Sequence, residues 1–289
     1  MKLLSPSKLK SIEDIHVWLN NCAALAAKMQ NNQKLKVDLR HLKWISPAGI
    51  STLAATLHKL TLQYDVRTLI PENEHSDKVI GYMERMDFFK ICPPEVRVAF
   101  ENSCDMTKYY KRHRNDQTNG LSELKRVKDY KEVGPLQKSI RDIMRGRISP
   151  NRVSDIASII GELANNAIEH GESPCFPCVQ YYPQQKKVEI AICDYGKGII
   201  ESLKDFVSFT SIHEVVEKAI FTEASGVEHE DRGRGLMEVQ QRTFDWSRIS
   251  QFYVRTHDSA YQVFPNQIQK IETGDYYFGT YFYIVIEMP

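Results

Sequence analysis

The run Gly161-Glu-Leu-Ala-Asn-Asn-Ala-Ile-Glu-His-Gly171 constrains this chain more than any other stretch. Laid on a helix at about 100° per residue, it puts Glu162, Asn166 and His170 at i, i+4 and i+8, within an arc of about 80°. Ile160, Leu163, Ala164 and Ala167, with Ile156 a turn earlier, fill the neighbouring arc, which is expected to be the buried one. Asn165 and Glu169 fall on a third side and are expected to face solvent. An acid, an amide and an imidazole thus line up along the border of an apolar stripe. A carboxylate and a carboxamide one turn apart can orient a water and hold a hard, oxygen-seeking cation such as Mg2+. An amphipathic helix with ordinary polar border residues is the alternative, and the residues downstream decide between the two.

Size and charge narrow the classes. At 289 residues the chain has room for about two domains. Its net charge of +1 does not point to nucleic acid or an anionic membrane as the main partner. No apolar run approaches the roughly 20 residues of a membrane span, and Met1-Lys-Leu-Leu-Ser-Pro lacks the apolar core of a signal peptide. The six cysteines are scattered, which suits reduced thiols and a cytoplasmic location. Cys175-Phe-Pro-Cys178 has no second pair, so zinc is not expected there.

In chain order, residues 11–30 predict a helix with Ser11 as N-cap and Asp14 at N3, near a capping box. Lys34–Leu39 predicts a strand, Ala48–Leu60 a helix, Tyr64–Ile70 a strand stopped by Pro71, and 77–89 a helix. Such alternation indicates an α/β unit. Residues 108–120 are polar and basic, ending in the turn-like Asn119-Gly120, and suit a solvated linker better than a nucleic-acid contact. Ser122–Val133 predicts an edge strand, Pro135 the start of a helix, and Ser149-Pro150 the start of the helix that carries the 161–171 run.

Cys178–Tyr182 and Val188–Asp194 then predict a hairpin. Its second strand delivers Asp194 into Tyr-Gly196-Lys-Gly198. Glycines there permit positive φ and close approach to a ligand. An ionised Asp only accepts hydrogen bonds, which suits an exocyclic amine such as that of adenine. After a long polar segment with one predicted helix, 212–221, comes Asp231-Arg-Gly-Arg-Gly235-Leu, a glycine-rich turn opening a helix. Amides at a helix N-terminus bind phosphate, and Arg232 and Arg234 add positive charge. Predicted strands at 251–256, 261–264 and 279–287 complete an antiparallel sheet.

Glu162-x-x-x-Asn166-x-x-x-His170, Asp194-x-Gly196-x-Gly198, a long connecting segment, Gly233-x-Gly235-Leu and Gly279-Thr280 stand in one order over residues 121–289. That ordered set resembles the GHKL ATPases, the superfamily of gyrase, MutL and histidine kinases. Asn166-Ala-Ile-Glu-His-Gly171 is most similar to the version found in anti-sigma-factor kinases. Further upstream, Val37-Asp-Leu and Ile45-Ser-Pro-Ala-Gly-Ile50 resemble a STAS domain, the fold of anti-sigma-factor antagonists. Aligned on Gly49, that family's phosphoacceptor position falls on Ala48, which has no hydroxyl, and its Asp position falls on Ser46. An unrelated small α/β domain is the alternative for this part.

The resemblance implies an α+β protein. Residues 1–105 would form a STAS-like α/β domain and 106–120 a linker. Residues 121–289 would form a two-layer α/β sandwich of the Bergerat ATP-binding fold. It implies ATP and Mg2+ as cofactors and a role in signal transduction. Glu162 would polarise the attacking group and Asn166 would coordinate Mg2+. Asp194 would accept from the adenine amine, with Thr280 supporting that end through water. Gly196 and Gly198 would let the base pack closely, Gly233, Arg234 and Gly235 would wrap the phosphates, and His170 would face them. Met237 replaces the third glycine of the histidine-kinase turn, and no helix pair carries a phosphoacceptor His. Three functions are compatible with this set: an ATP-gated switch with slow hydrolysis, a serine/threonine kinase of anti-sigma type, or a non-catalytic interaction module. The partner would be another protein or the N-terminal domain itself.

Overall fold

A computed structural model describes residues 1–111, 120–222, 235–247 and 249–288. The N-terminal half runs β1 (Lys2–Leu4), β2 (Lys8–Leu9), α1 (Ile12–Ala26), β3 (Lys34–Asp38), β4 (Trp44–Ile45), α2 (Pro47–Gln63) and β5 (Asp65–Leu69), then four helices, α3 (Ser76–Arg85), α4 (Phe88–Ile91), α5 (Pro94–Ser103) and α6 (Thr107–Tyr110). The C-terminal half runs β6 (Leu121–Ser122), α7 (Tyr130–Met144), α8 (Pro150–Glu169), β7 (Cys178–Tyr182), β8 (Lys187–Cys193), α9 (Gly198–Leu203), α10 (Ile212–Phe221), α11 (Gly235–Phe244), β9 (Gln251–Thr256), β10 (Ser259–Val263), β11 (Ile268–Thr273) and β12 (Thr280–Glu287). The protein is therefore mixed α and β. Among the described residues, no helix is long and apolar enough to cross a membrane.

Strands β1, β3 and β5 pair in parallel, in the order β1-β3-β5, and β2 pairs with β4. Helix α1 starts where the capping box is expected: the Ser11 hydroxyl accepts from the Asp14 amide, and the Asp14 carboxylate accepts from the Ser11 amide. Helix α2 is capped by Ser46, whose hydroxyl accepts from the Gly49 amide, with Pro47 in the first turn. Gly49 is required by contact, since a Cβ there would sit 2.0 Å from the Leu9 carbonyl oxygen.

The second sheet is antiparallel, in the order β11-β10-β9-β12-β8-β7-β6. Its central register pairs Tyr281 with Cys193 and Thr280 with Thr256. Side chains alternate across it. Val188, Ile190 and Ile192 of β8, with Phe282, Ile284 and Ile286 of β12, pack under α7, α8 and α11. Ala191, Cys193 and Tyr281 point the other way and join the core of the N-terminal half.

Helix α2 covers that second face. Nearly every residue from Pro47 to Leu60 is buried, as expected for a helix enclosed on all sides. Its small residues allow close approach, and its hydroxyls find partners. Ser51 donates to the Phe176 carbonyl, Thr52 lies 3.5 Å from the Cys193 sulfur, and Thr56 accepts from the Trp18 indole at 3.0 Å. From the sheet side, the Cys178 thiol donates to the Pro47 carbonyl at 3.3 Å. Helix α1 adds Asn20, whose side-chain oxygen accepts from the Asp275 amide at 3.2 Å. The C-terminal sheet and its own helices make two layers, and α1 and α2 add a third.

Several boundaries differ from expectation. The edge strand is only Leu121–Ser122, because Asp129 caps a helix beginning at Tyr130. Pro135 lies inside that helix rather than at its start. Within the expected linker, Thr107–Tyr110 is helical; Tyr109 is buried and bonds Asp77 at 2.6 Å. Residues 112–119 lie outside the described residues.

Candidate functional site

Helix α8 carries the expected stripe inward: Ile156, Ile160, Leu163, Ala164 and Ala167 are buried. Asn165 and Glu169 are half-buried rather than solvent-facing. The helix ends at His170, whose amide bonds the Asn166 carbonyl at 3.0 Å. Its polar edge opens onto a cavity of about 620 Å3, counting the open mouth. Asn166, His170, Asp194, Gly198, Gly235 and Thr280 all line it, though more than a hundred residues separate the first from the last.

Asp194 leaves the end of β8 only 4% exposed. Its carboxylate accepts the Gly196 amide at 2.8 Å and, more weakly, the Thr280 amide at 3.3 Å. Burial pushes its pKa up to about 7 against the pull of those two amides. Asn166 lines the same cavity, and its Nδ2 is buried without a hydrogen-bond partner among the described residues. An orphaned buried donor costs about 1–3 kcal/mol, so a ligand that supplied its acceptor would recover that amount.

Glu162 does not line the cavity but stands just behind Gly235. A Cβ on Gly235 would lie 3.0 Å from the Glu162 carboxylate and 3.5 Å from the Asn166 side-chain oxygen. Burial, and then the neighbouring Glu238, raise the Glu162 pKa, while Arg242 lowers it. Arg242 bonds Asp155 at 2.7 Å and Glu238 at 3.3 Å, and the Trp246 indole bonds the same Asp155 at 2.9 Å. These bonds hold α11, and so Gly235, against α8. Burial also lowers the His170 pKa, against the pull of Glu169, and so favours the neutral ring.

Glycines close the back wall. Gly196 packs on Gly171: a Cβ at 196 would sit 2.0 Å from the Gly171 carbonyl oxygen, which also accepts the Lys197 amide at 3.1 Å. Gly279, at φ +87, has its Cβ position 2.1 Å from the Asp194 carbonyl oxygen and donates to the Gly196 carbonyl at 2.9 Å. Gly198, at φ +77, leads into α9, and the Thr256 hydroxyl accepts the following Ile199 amide at 3.2 Å. Gly196→Ala is expected to lose about 2–3 kcal/mol, since the intruding methyl meets backbone that cannot swing aside. Urea unfolding at unchanged m-value would measure it, and a loss below about 1 kcal/mol would contradict the contact.

The apolar wall comes from Ile199 and Leu203 of α9, Ala219 of α10, Leu236 and Phe282. Sequence reading missed α9; the i, i+4 spacing of Ile199 and Leu203 directly after Gly198 was its available signal. Gly233 and Arg234, together with Asp231 and Arg232, lie outside the described residues. Cys175 and Cys178 are buried, and among the described residues no group of His, Cys, Asp and Glu side chains is placed to hold a metal ion by itself. No protein-family model matches this chain, and no curated protein matches it.

Proposed function

We propose that this protein binds Mg-ATP in the α8–β8–α11 cavity and acts as a nucleotide-dependent regulatory switch with slow hydrolysis. On this reading residues 121–289 are a GHKL domain of Bergerat type and residues 1–105 a STAS-like domain. One observation carries the proposal: Asn166, His170, Asp194, Gly198, Gly235 and Thr280, spread over separate motifs, line a single cavity. A buried carboxylate at one end would receive an exocyclic amine. The amide and imidazole of α8 would meet the rest of the ligand.

The residues suit Mg2+ held jointly with phosphate. The protein contributes the Asn166 amide oxygen and, among the described residues, no multi-carboxylate cage, and Mg2+ often relies on substrate phosphates for its remaining ligands. When bound, the ion would neutralise phosphate charge. Glu162, whose proton affinity burial increases, stands behind Gly235 and on this reading would take a proton from an attacking water that reaches it past that glycine.

The anti-sigma kinase reading has less support. Ala48 is buried and carries no hydroxyl, and Ser51 and Thr52 beside it are fully buried. The regulatory partner is better sought in the N-terminal half. Thr52 touches Cys193, the residue before Asp194, and Ser51 holds Phe176, whose amide bonds the Cys193 carbonyl at 2.8 Å.

The deciding experiment incubates the protein with Mg2+ and γ-labelled ATP and follows both free phosphate and labelled protein. Free phosphate is expected, with Glu162→Gln binding ATP normally but turning over about 100-fold more slowly. Asn166→Ala is expected to lose the Mg2+-dependent part of ATP affinity. Label on protein instead of free phosphate would replace this reading with the kinase. Full Mg2+-dependent affinity in Asn166→Ala would remove the metal assignment.

A further inference from the structure

A second concavity opens at the other end of β8 from Asp194, on the face turned toward the N-terminal half. It measures about 1050 Å3, counting its mouth, and both halves of the chain line it. Its rim carries Lys10, Lys43 and Lys78, and Lys187 stands inside. Trp44, 55% exposed, forms one wall, and Tyr82, Tyr182 and Tyr283 add further rings.

Part of the charge is already answered. Lys43 pairs with Glu74 at 3.0 Å and Lys187 with Glu189 at 2.8 Å. Lys10 and Lys78 pair with no acid among the described residues. The Lys10 ammonium lies 6.0 Å from the Trp44 ring, and Lys187 lies 5.0 Å from the Tyr182 ring. Tyr82 bonds Gln180 at 3.2 Å, so its hydroxyl is occupied while ring surface remains on offer.

Among the described residues no arginine lines the groove, so an anion there is met by lysine alone. Ammonium groups act as compact point charges suited to phosphate oxygens. Aromatic faces interleaved with such cations stack planar bases. We propose that this groove is a second ligand site, taking a nucleoside phosphate with its base against Trp44 and the tyrosine rings and its phosphate on Lys10 and Lys78. The same unit occurs as a free nucleotide and in single-stranded nucleic acid. The site does not depend on ATP binding in the first cavity.

Trp44 supplies the readout. The full chain is titrated with AMP, GMP, CMP and UMP, with the matching nucleosides, with the oligonucleotide dT8 and with an eight-residue polyglutamate peptide, following tryptophan fluorescence. At least one mononucleotide is expected to change the signal with a dissociation constant below about 1 mM. Its nucleoside should bind at least about tenfold more weakly, the scale of a charged contact near the surface. Trp44→Phe should lose the signal. The double variant Lys10→Glu, Lys78→Glu should lose about tenfold or more in affinity while keeping the parent's circular dichroism and melting temperature. Binding of dT8 at least tenfold tighter than any mononucleotide would assign the groove to a strand, and equal or weaker binding to a free nucleotide. No response to any nucleotide or to dT8 would overturn the proposal. So would a response untouched by the lysine reversals, or polyglutamate binding that nucleotides fail to displace, which would give the groove to an acidic polypeptide. A failure of ATP to bind near Asp194 would leave all these outcomes readable, because Asp194 follows the end of β8 whereas the groove takes Lys187 and Glu189 from that strand's beginning.

Discussion

Asp194→Asn is expected to weaken the proposed ATP binding about 100-fold and, at pH 8, to make the empty protein more stable. The two effects share one cause. The buried carboxyl holds its proton up to about pH 7, against an ordinary value of 3.8. The folded state therefore binds that proton more tightly than the unfolded state. The group favours folding fully in acid below the ordinary value, and this contribution is lost as pH rises through about 7. By pH 8 the folded protein carries an ionised carboxylate in a site that disfavours it. Asparagine never ionises and can still accept from Gly196 or Thr280. Less about 1 kcal/mol for the second amide bond, a gain of about 1–3 kcal/mol is expected. Binding moves the other way. The asparagine amide can turn a donor toward the purine amine where the carboxylate offered only acceptors, and a loss of about 100-fold is expected. Calorimetry with ATP and thermal melts at pH 5.5 and pH 8 measure both. In the parent protein, affinity should also fall about tenfold per pH unit well below 7, because the ionised form is the acceptor. A variant that binds ATP normally, or a parent with flat affinity from pH 5.5 to 8, would refute the role of Asp194.

Residues 121–289 without the N-terminal half will not fold cooperatively. Removing α1 and α2 uncovers Cys178, Ala191, Cys193 and Tyr281, all buried in the intact chain. It also strips cover from Arg255, which is fully buried and bonds only the carbonyls of Tyr277, at 3.2 Å, and Asp275, at 2.9 Å, among the described residues. A large apolar side chain returned to water forfeits about 1.5–3 kcal/mol, so exposing Phe176, which stacks on His58 of α2, together with Tyr277 and Tyr281 costs an amount comparable with the whole stability of an ordinary domain. The fragment is expected to bind a hydrophobic dye, show weak near-ultraviolet circular dichroism and lack a sharp urea transition. A sharp transition with an m-value proportionate to its length would show that the two halves are independent.

Local chemistry was readable where one or two residues decide an outcome. Ser11 with Asp14 fixed the start of α1, Ser46-Pro47 the start of α2, and the period of 160–167 the buried side of α8. Asp194 was placed at a strand end because β8 is a plain apolar run stopped by glycines. The union of the halves was less legible. Its trace is present in Val188-Glu-Ile-Ala-Ile-Cys193 and Tyr281–Ile286, apolar on both parities as in a strand covered on both faces. It is present again in the small residues of α2. Neither pattern names its partner, since complementarity between distant surfaces leaves no fixed spacing along a chain. The α9 wall escaped notice because six residues give too short a period to stand out. Ser122–Val133 predicts an edge strand, but the Asp129 side chain caps a helix from Tyr130 within it.

The glycine-closed back wall also decides which side of the cavity can act as a door. Gly171, Gly196 and Gly279 bring three backbone segments into direct contact, and no side chain stands between them to change rotamer and yield. Swinging that wall would break the hydrogen bonds from the Lys197 amide to Gly171 and from the Gly279 amide to Gly196 at once. Traffic into and out of the pocket is then expected where Ala219 of α10 and Leu236 of α11 line it. Cross-linking α10 to α11 should trap or exclude a ligand, whereas stiffening the Asp194 side should leave exchange rates unchanged.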